Sequence, residues 1–215
     1  MRRTGARRTI ENTLRRFGFV YVAGVDEVGR GCLAGPVIAG AVILDPGRHI
    51  PGLADSKLLT PVRRDDLAER IRSACLAWAV AGVEPADIDR INIHRASLEA
   101  MRRAVVSLVP LPDALLVDAF RIPGVPMAQR GIVQGDRRCA AVAAASIVAK
   151  VHRDRLMLDL HACDPRYGFD RHKGYATPDH LAALARHGYS PAHRRSFRPA
   201  SLFDTMTGEN IGDTT

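Results

Sequence analysis

Four carboxylates carry the chemistry this chain could do. Asp26 and Asp118 each close an apolar run, Phe19 to Val25 and Ala114 to Val117; Glu27 follows Asp26 directly, and Asp136 stands just before an alanine-rich segment. An acid at the end of a strand can emerge at a sheet edge while the residues before it stay buried. Two neighbouring parallel strands would therefore bring Asp26 and Asp118 together. Four gathered carboxylates are hard to keep ionised without cations, and Mg²⁺ or Mn²⁺ would satisfy them because hard divalent ions prefer oxygen ligands. The chemistry this implies is phosphoryl transfer with two ions, one lowering the pKa of an attacking water and the other stabilising the leaving oxygen. Taken singly, each acid has a plainer role as a strand end or a helix cap. Only the four together point to metal chemistry.

The elements that must position these acids are legible in outline. Phe19 to Val25 is β-branched and aromatic, Gly29 to Pro36 is a glycine loop, and Val37 to Leu44 is a second apolar run, which together read as strand, loop, strand. Thr60 and Pro61 open a helix to about Ala74, as N-cap and first helical residue. A strand over Leu76 to Val83, a helix from Arg95 to Leu108 and a short strand ending at Asp118 follow. Gly131 to Asp136 is a weaker strand candidate, and an alanine-rich helix runs from about Arg138 past Asp159. Its alanines are explained by helix propensity and close packing on the sheet. The expected organisation is a basic N-terminal arm over 1–18, a core over 19–160, a C-terminal helical region over 161–203 and a tail over 204–215. Both ends are expected to be mobile.

Composition narrows the partner. The chain has 215 residues and a formal charge of +8, with a pI near 9.9, which favours a polyanion because fixed cations release its condensed counterions. Of the 31 basic residues 28 are Arg, which makes Lys57, Lys150 and Lys173 conspicuous, since lysine offers a compact mobile charge where arginine offers a rigid fork. Cys32, Cys75, Cys139 and Cys163 form no paired motif, so neither a zinc ribbon nor a disulfide framework is suggested. His172, His180 and His193 lack zinc-ligand spacing. The apolar stretch Phe17 to Val25 stops at Asp26 with no cleavage site, and no run approaches the roughly 18 apolar residues of a membrane span. A cytoplasmic protein is expected.

Val25-Asp26-Glu27-Val28-Gly29-Arg30-Gly31, followed by Leu33-Ala34-Gly35-Pro36, resembles the opening motif of the ribonuclease HII family. The likeness continues through Asp55-Ser56-Lys57, Met101 to Val105, Val117-Asp118, Gly135-Asp136, Ala143 to Lys150 and His172-Lys173-Gly174-Tyr175, and ends near His193 to Phe197. All three lysines fall inside these blocks.

The resemblance implies an α/β ribonuclease H-like fold, a central mixed sheet flanked by helices, with a C-terminal helical region completing a cleft. It assigns Asp26, Glu27, Asp118 and Asp136 to two Mg²⁺ or Mn²⁺ ions. Gly29, Arg30 and Gly31 would read the ribose 2′-OH, which suits glycine because it lets backbone atoms approach closely. Tyr175 would stack on the sugar of the deoxynucleotide after a ribonucleotide. Lys57 and Lys173 would lie on phosphates, and Lys150, deep in a helix, would be structural. Cys32 stands where proline is common, Phe120 where many relatives have Asn, and Arg138-Cys139 replaces a usual Lys or Ala and Ser.

The implied activity is hydrolysis of RNA in RNA–DNA hybrids, and cutting 5′ of ribonucleotides in duplex DNA to leave 3′-OH and 5′-phosphate, by a monomer. A non-catalytic hybrid-binding module would also want the basic surface and Tyr175, but leaves four acids without a purpose. The sister ribonuclease HIII family normally carries a sizeable N-terminal domain, for which the stretch before the first strand is too short.

Overall fold

The computed structural model describes residues 6–53 and 56–197. The expectations for residues 1–5, Asp55 and 198–215, the tail over 204–215 among them, lie outside the described residues.

A five-stranded mixed sheet in the order β3-β2-β1-β4-β5 forms the centre. Its strands are β1 (Val22–Val28), β2 (Val37–Leu44), β3 (Cys75–Val83), β4 (Ala114–Asp118) and β5 (Ala128–Ile132). β2 pairs antiparallel with both β1 and β3, whereas β4 runs parallel to both β1 and β5. The helices are α1 (Thr9–Arg16), α2 (Pro61–Ala74), α3 (Pro85–Ile91), α4 (Ile93–Val106), α5 (Gly135–Arg138), α6 (Ala140–Cys163), α7 (Phe169–His172) and α8 (Pro178–His187).

Strand alternation sorts the core into two layers. Val22, Val42 and Leu116 face α2 and α6, while Ala23, Val25, Leu115 and Val117 face the other way, onto Ala100, Met101, Ala104 and Val105 of α4. Asp26 and Asp118 have the parity of Val22 and Leu116, and Gly24 stands opposite Leu116 in the β1–β4 register. Both acids therefore point to the α6 side. A third cluster, Ala34, Met157, Tyr167, Phe169 and Leu184, joins α6 to the C-terminal helices.

Glycine lets α6 lie directly on the sheet. A Cβ on Gly24 would come 2.0 Å from the Ala141 carbonyl carbon, and one on Gly40 would come 2.5 Å from the Ala145 oxygen. Ala141 and Ala145 share one face of α6, one turn apart. The alanine run is thus the helix half of a close contact whose strand half is glycine.

Several elements differ from their sequence expectation for identifiable reasons. β1 begins at Val22, not Phe19, because the Val20 and Tyr21 amides donate to Asp113 Oδ2 at 2.9 and 2.8 Å. It also continues through the acids: Asp26 pairs with Gly40 and Glu27 with Ala39, so only Asp118 terminates a strand. Residues 131–136 divide between the end of β5 and the start of α5. The helix expected from Arg95 starts at Ile93, where Asn92 Oδ1 accepts the Arg95 amide at 3.1 Å. Thr60 caps α2 as expected.

The described part of the N-terminal arm packs against the core. Glu11 is buried in α1, and its Oε1 accepts the Ala141 amide at 2.8 Å, placing an anion at the positive start of α6. Arg8 donates to the Asp45 and Arg48 carbonyls, and Arg15 to that of Leu44.

Candidate active site

The carboxyl ends of β1 and β4 and the adjoining faces of α5 and α6 enclose a cavity of about 110 Å³. Asp26, Glu27, Asp118 and Asp136 all line it, brought from three separate stretches of sequence. Lys57 and Tyr175 also line it, together with Ser56, Ser146 and Lys150.

Asp26, Glu27 and Asp118 are each held by a local partner. The Glu27 amide donates to Asp26 Oδ1 at 2.8 Å, and the Gly135 amide donates to Asp118 Oδ1 at 2.7 Å. Arg30 Nη1 lies 3.3 Å from Glu27 Oε1. Glu27 Oε2 is buried with no hydrogen-bond partner. Burial raises the Asp26 carboxyl well above its ordinary range, and the charges of Glu27 and Asp118 add to that rise, against the hydrogen bond from Ser146. Burial likewise raises Glu27, opposed by Arg30. Among the described residues, no three His, Cys, Asp or Glu side chains are already closed into a ligand cage. The four acids share a cavity, with Asp26, Glu27 and Asp118 each turned to its own partner.

The remaining expected residues divide. Gly29, Arg30 and Gly31 do not line the cavity but follow Val28, which does. Gly29 has φ +89, the left-handed region that glycine reaches readily. The Arg30 guanidinium lies 4.7 Å from the Phe120 ring centroid, so the departure at Phe120 provides a stacking platform. Lys173 stays outside the cavity, and its ammonium donates to the Asp170 carbonyl.

Lys150, expected to be structural, sits in an ion-pair network and also lines the cavity. Its Nζ is 2.6 Å from Asp154 Oδ1 and 5.9 Å from the Tyr175 ring centroid, and Arg64 holds the other Asp154 oxygen at 3.2 Å. Ser146 and Lys150 are four residues apart and so occupy one helical face. That spacing, with two polar residues in an alanine-rich helix, was the available sign.

Under Tyr175 lies a chain of neutral histidines. His180 Nδ1 donates to the Tyr175 carbonyl at 2.9 Å, His193 Nε2 donates to His180 Nε2 at 3.1 Å, and the Ser190 amide donates to His193 Nδ1 at 3.1 Å. His172 stacks on His180 with ring centroids 4.4 Å apart. Burial lowers His193 to about 4, with His180 adding to the effect. An unfolded histidine takes a proton near 6.5 and the folded one only near 4. Stability is therefore fully present above about 6.5 and falls as pH drops toward 4, because only the unfolded chain binds the proton in that window. Urea midpoints should fall more steeply from pH 6.5 to 4 in the parent than in His193→Gln. Equal slopes would remove His193 as the cause.

Comparison with known proteins gives a consistent result. The family model described as Ribonuclease HII matches residues 23–200. A ribonuclease HII from Thiobacillus denitrificans is 53% identical over 190 residues, covering 88% of this chain and 93% of the relative. One from Dechloromonas aromatica is 55% identical over 180 residues, covering 84% and 92%. The crystal structure of the ribonuclease H2 from Pyrococcus horikoshii superposes with a TM-score of 0.73 at 26% identity, over 89% of this chain and all of that one.

Proposed function

The chain belongs to the ribonuclease HII family, and on that premise we propose that it is an endoribonuclease that hydrolyses the RNA strand of RNA–DNA hybrids. The same site cuts 5′ of a ribonucleotide embedded in duplex DNA, leaves 3′-OH and 5′-phosphate ends, and serves to remove ribonucleotides from DNA. The observation that carries this reading is the convergence of Asp26, Glu27, Asp118 and Asp136 on one cavity.

Those acids fit divalent ions. The donor set is all carboxylate, Glu27 Oε2 is buried without a partner, and the Asp26 carboxyl is pushed upward by burial and by the charges of Glu27 and Asp118. All three features call for a hard cation, Mg²⁺ or Mn²⁺. When bound, two such ions supply an acidified water and charge neutralisation at the leaving oxygen. Every other part of the task falls to the chain itself. Asp26, Glu27, Asp118 and Asp136 would hold the ions; the Glu27 and Gly135 amides fix one oxygen each of Asp26 and Asp118.

Substrate positioning follows from the rim. The Gly29-Arg30-Gly31 turn offers close backbone approach to a 2′-OH, and Arg30, steadied on Phe120 and Glu27, fixes the turn's direction. Tyr175, 41% exposed, offers its ring to the following deoxyribose. Lys57 serves a backbone phosphate without sequence preference. Lys173 does so only after its ammonium leaves the Asp170 carbonyl. Among the described residues no helix is long and apolar enough to cross a membrane. We assign the work to a monomer in the cytoplasm, a compartment that suits four free cysteines.

The test compares the parent with Tyr175→Ala on two substrates, a duplex with one ribonucleotide and a long hybrid. Losing one stacking group, worth about 1–3 kcal/mol, should weaken cutting at the lone ribonucleotide by on the order of tenfold or more and spare the long hybrid. An equal loss on both substrates would remove Tyr175 from junction reading.

A further inference from the structure

Two arginines unused by this chemistry are wholly buried, Arg153 on α6 and Arg194 in the segment after α8. Burying a cation is costly unless it is paired, yet among the described residues neither has a carboxylate within ion-pair distance. Their donors go to backbone carbonyls instead. Arg153 Nε and Nη2 reach the Pro36 and Ala34 oxygens, each at 3.0 Å, and its Nη1 reaches the Lys173 oxygen at 2.9 Å. Arg194 gives Nε and Nη2 to Gly35 at 3.0 and 2.8 Å, and Nη1 to Arg30 at 2.9 Å.

The carbonyls they bind belong to the two stretches that carry the substrate readers. One is Gly29 to Pro36, with Arg30; the other is His172 to Tyr175. The stretches also touch directly, the Leu33 amide donating to the Gly174 carbonyl at 2.8 Å. A Cβ on Gly29 would come 2.2 Å from Arg153 Nε, so the glycine turn is seated on the guanidinium itself. Of the two, Arg153 bonds both stretches at once and Arg194 bonds the first alone; each uses a planar fork with donors in fixed directions, a geometry that an ammonium on a flexible stem lacks.

We propose that Arg153 and Arg194 are positioning residues: Arg153 ties the Gly29–Pro36 stretch to the one that carries Tyr175, and Arg194 braces the Gly29–Gly31 turn through the Arg30 carbonyl, so that the two readers keep a fixed separation that sets discrimination for a ribonucleotide junction over a uniform hybrid. Neither guanidinium lines the acidic cavity, so the hydrolytic step itself is not their task. The inference rests on the functional reading above.

Its test measures kcat and KM on a single-ribonucleotide duplex and on a long hybrid, for the parent, Arg153→Lys and Arg194→Lys, with circular dichroism and urea midpoints alongside. In folded Arg153→Lys, KM for the single-ribonucleotide duplex should rise by on the order of tenfold, the scale of a small misplacement of a binding group. Its kcat and its action on the long hybrid should change little, and Arg194→Lys should repeat the pattern if Arg153→Lys does not fold. Unchanged selectivity in either folded variant overturns the clamp. A parallel loss on both substrates that tracks the folded fraction also overturns it, because that is what a purely structural arginine would give. A parent that cuts neither substrate overturns the functional reading and the clamp with it, a result distinct from loss of selectivity in the variants alone.

Discussion

Asp26→Asn should abolish most cleavage while leaving the fold and the grip on duplex intact. Asp26 is only 6% exposed, and its carboxyl is raised by burial and by the charges of Glu27 and Asp118. Asparagine keeps the shape and can still accept the Glu27 amide through its side-chain oxygen, but it brings no charge to an ion. Loss of one group that stabilises charge in the reaction costs on the order of 10²–10³-fold, and the variant should fall at the upper end of that range. Duplex affinity measured without divalent ions should stay close to the parent's, since no basic surface is removed. Because a like charge leaves a buried cluster, the urea midpoint in metal-free buffer should equal or exceed that of the parent. A variant that cleaves normally would take Asp26 out of the site, and one that loses binding in proportion would make its role structural.

Gly24→Ala should have the largest effect on folding. The added methyl would lie 2.0 Å from the Ala141 carbonyl carbon and 2.3 Å from both the Ala141 oxygen and the Val142 nitrogen. All three atoms are backbone, so no side chain can swing aside and α6 must lift from β1. Overpacking of this kind costs about 1–3 kcal/mol, occasionally more, and a rigid backbone contact belongs at or above the top of that range. Gly31→Ala is the control: a Cβ there meets nothing within 4 Å, so stability should stay within about 0.5 kcal/mol of the parent. Denaturation midpoints of the two variants check both statements. A stable Gly24→Ala protein would mean that α6 does not rest on β1 as described.

Much of the scaffold could be read from the chain because its local signals agree with its tertiary role. Val37–Leu44, the Thr60-Pro61 helix start, the strand ending at Asp118 and the alanine-rich helix each follow from pattern and capping. The four acids were legible by type and by their place near strand ends, and the parallel β1–β4 pairing meets the condition for gathering them. The sequence signal for β5 starts late, at Gly131, because Ala128-Gln129-Arg130-Gly131 has no apolar alternation, being an edge strand with little to bury. β1 was placed early because Asp113, nearly a hundred residues away in the chain, diverts two amides from the ladder.

The site residues that escaped notice are those whose role depends on another element. Ser56 and Ser146 meet, Oγ to Oγ, at 3.0 Å across separate parts of the chain. Lys150 reaches the cavity because of how α6 is laid on the sheet, and helix position alone does not say which end faces the acids. Arg153, between Val151 and Met157, gives no outward sign that its bonds run to loops more than a hundred residues earlier.

The most direct measurement is cleavage of an end-labelled DNA duplex containing one ribonucleotide, with Mg²⁺ or Mn²⁺ supplied, beside an all-DNA duplex and the Asp118→Asn protein. A single cut 5′ to the ribonucleotide is expected in the parent reaction, with none in the all-DNA duplex and none from the variant. No cut by folded, ion-supplied parent protein, or an equal cut by Asp118→Asn, would contradict it and leave the non-catalytic hybrid-binding module as the reading to pursue.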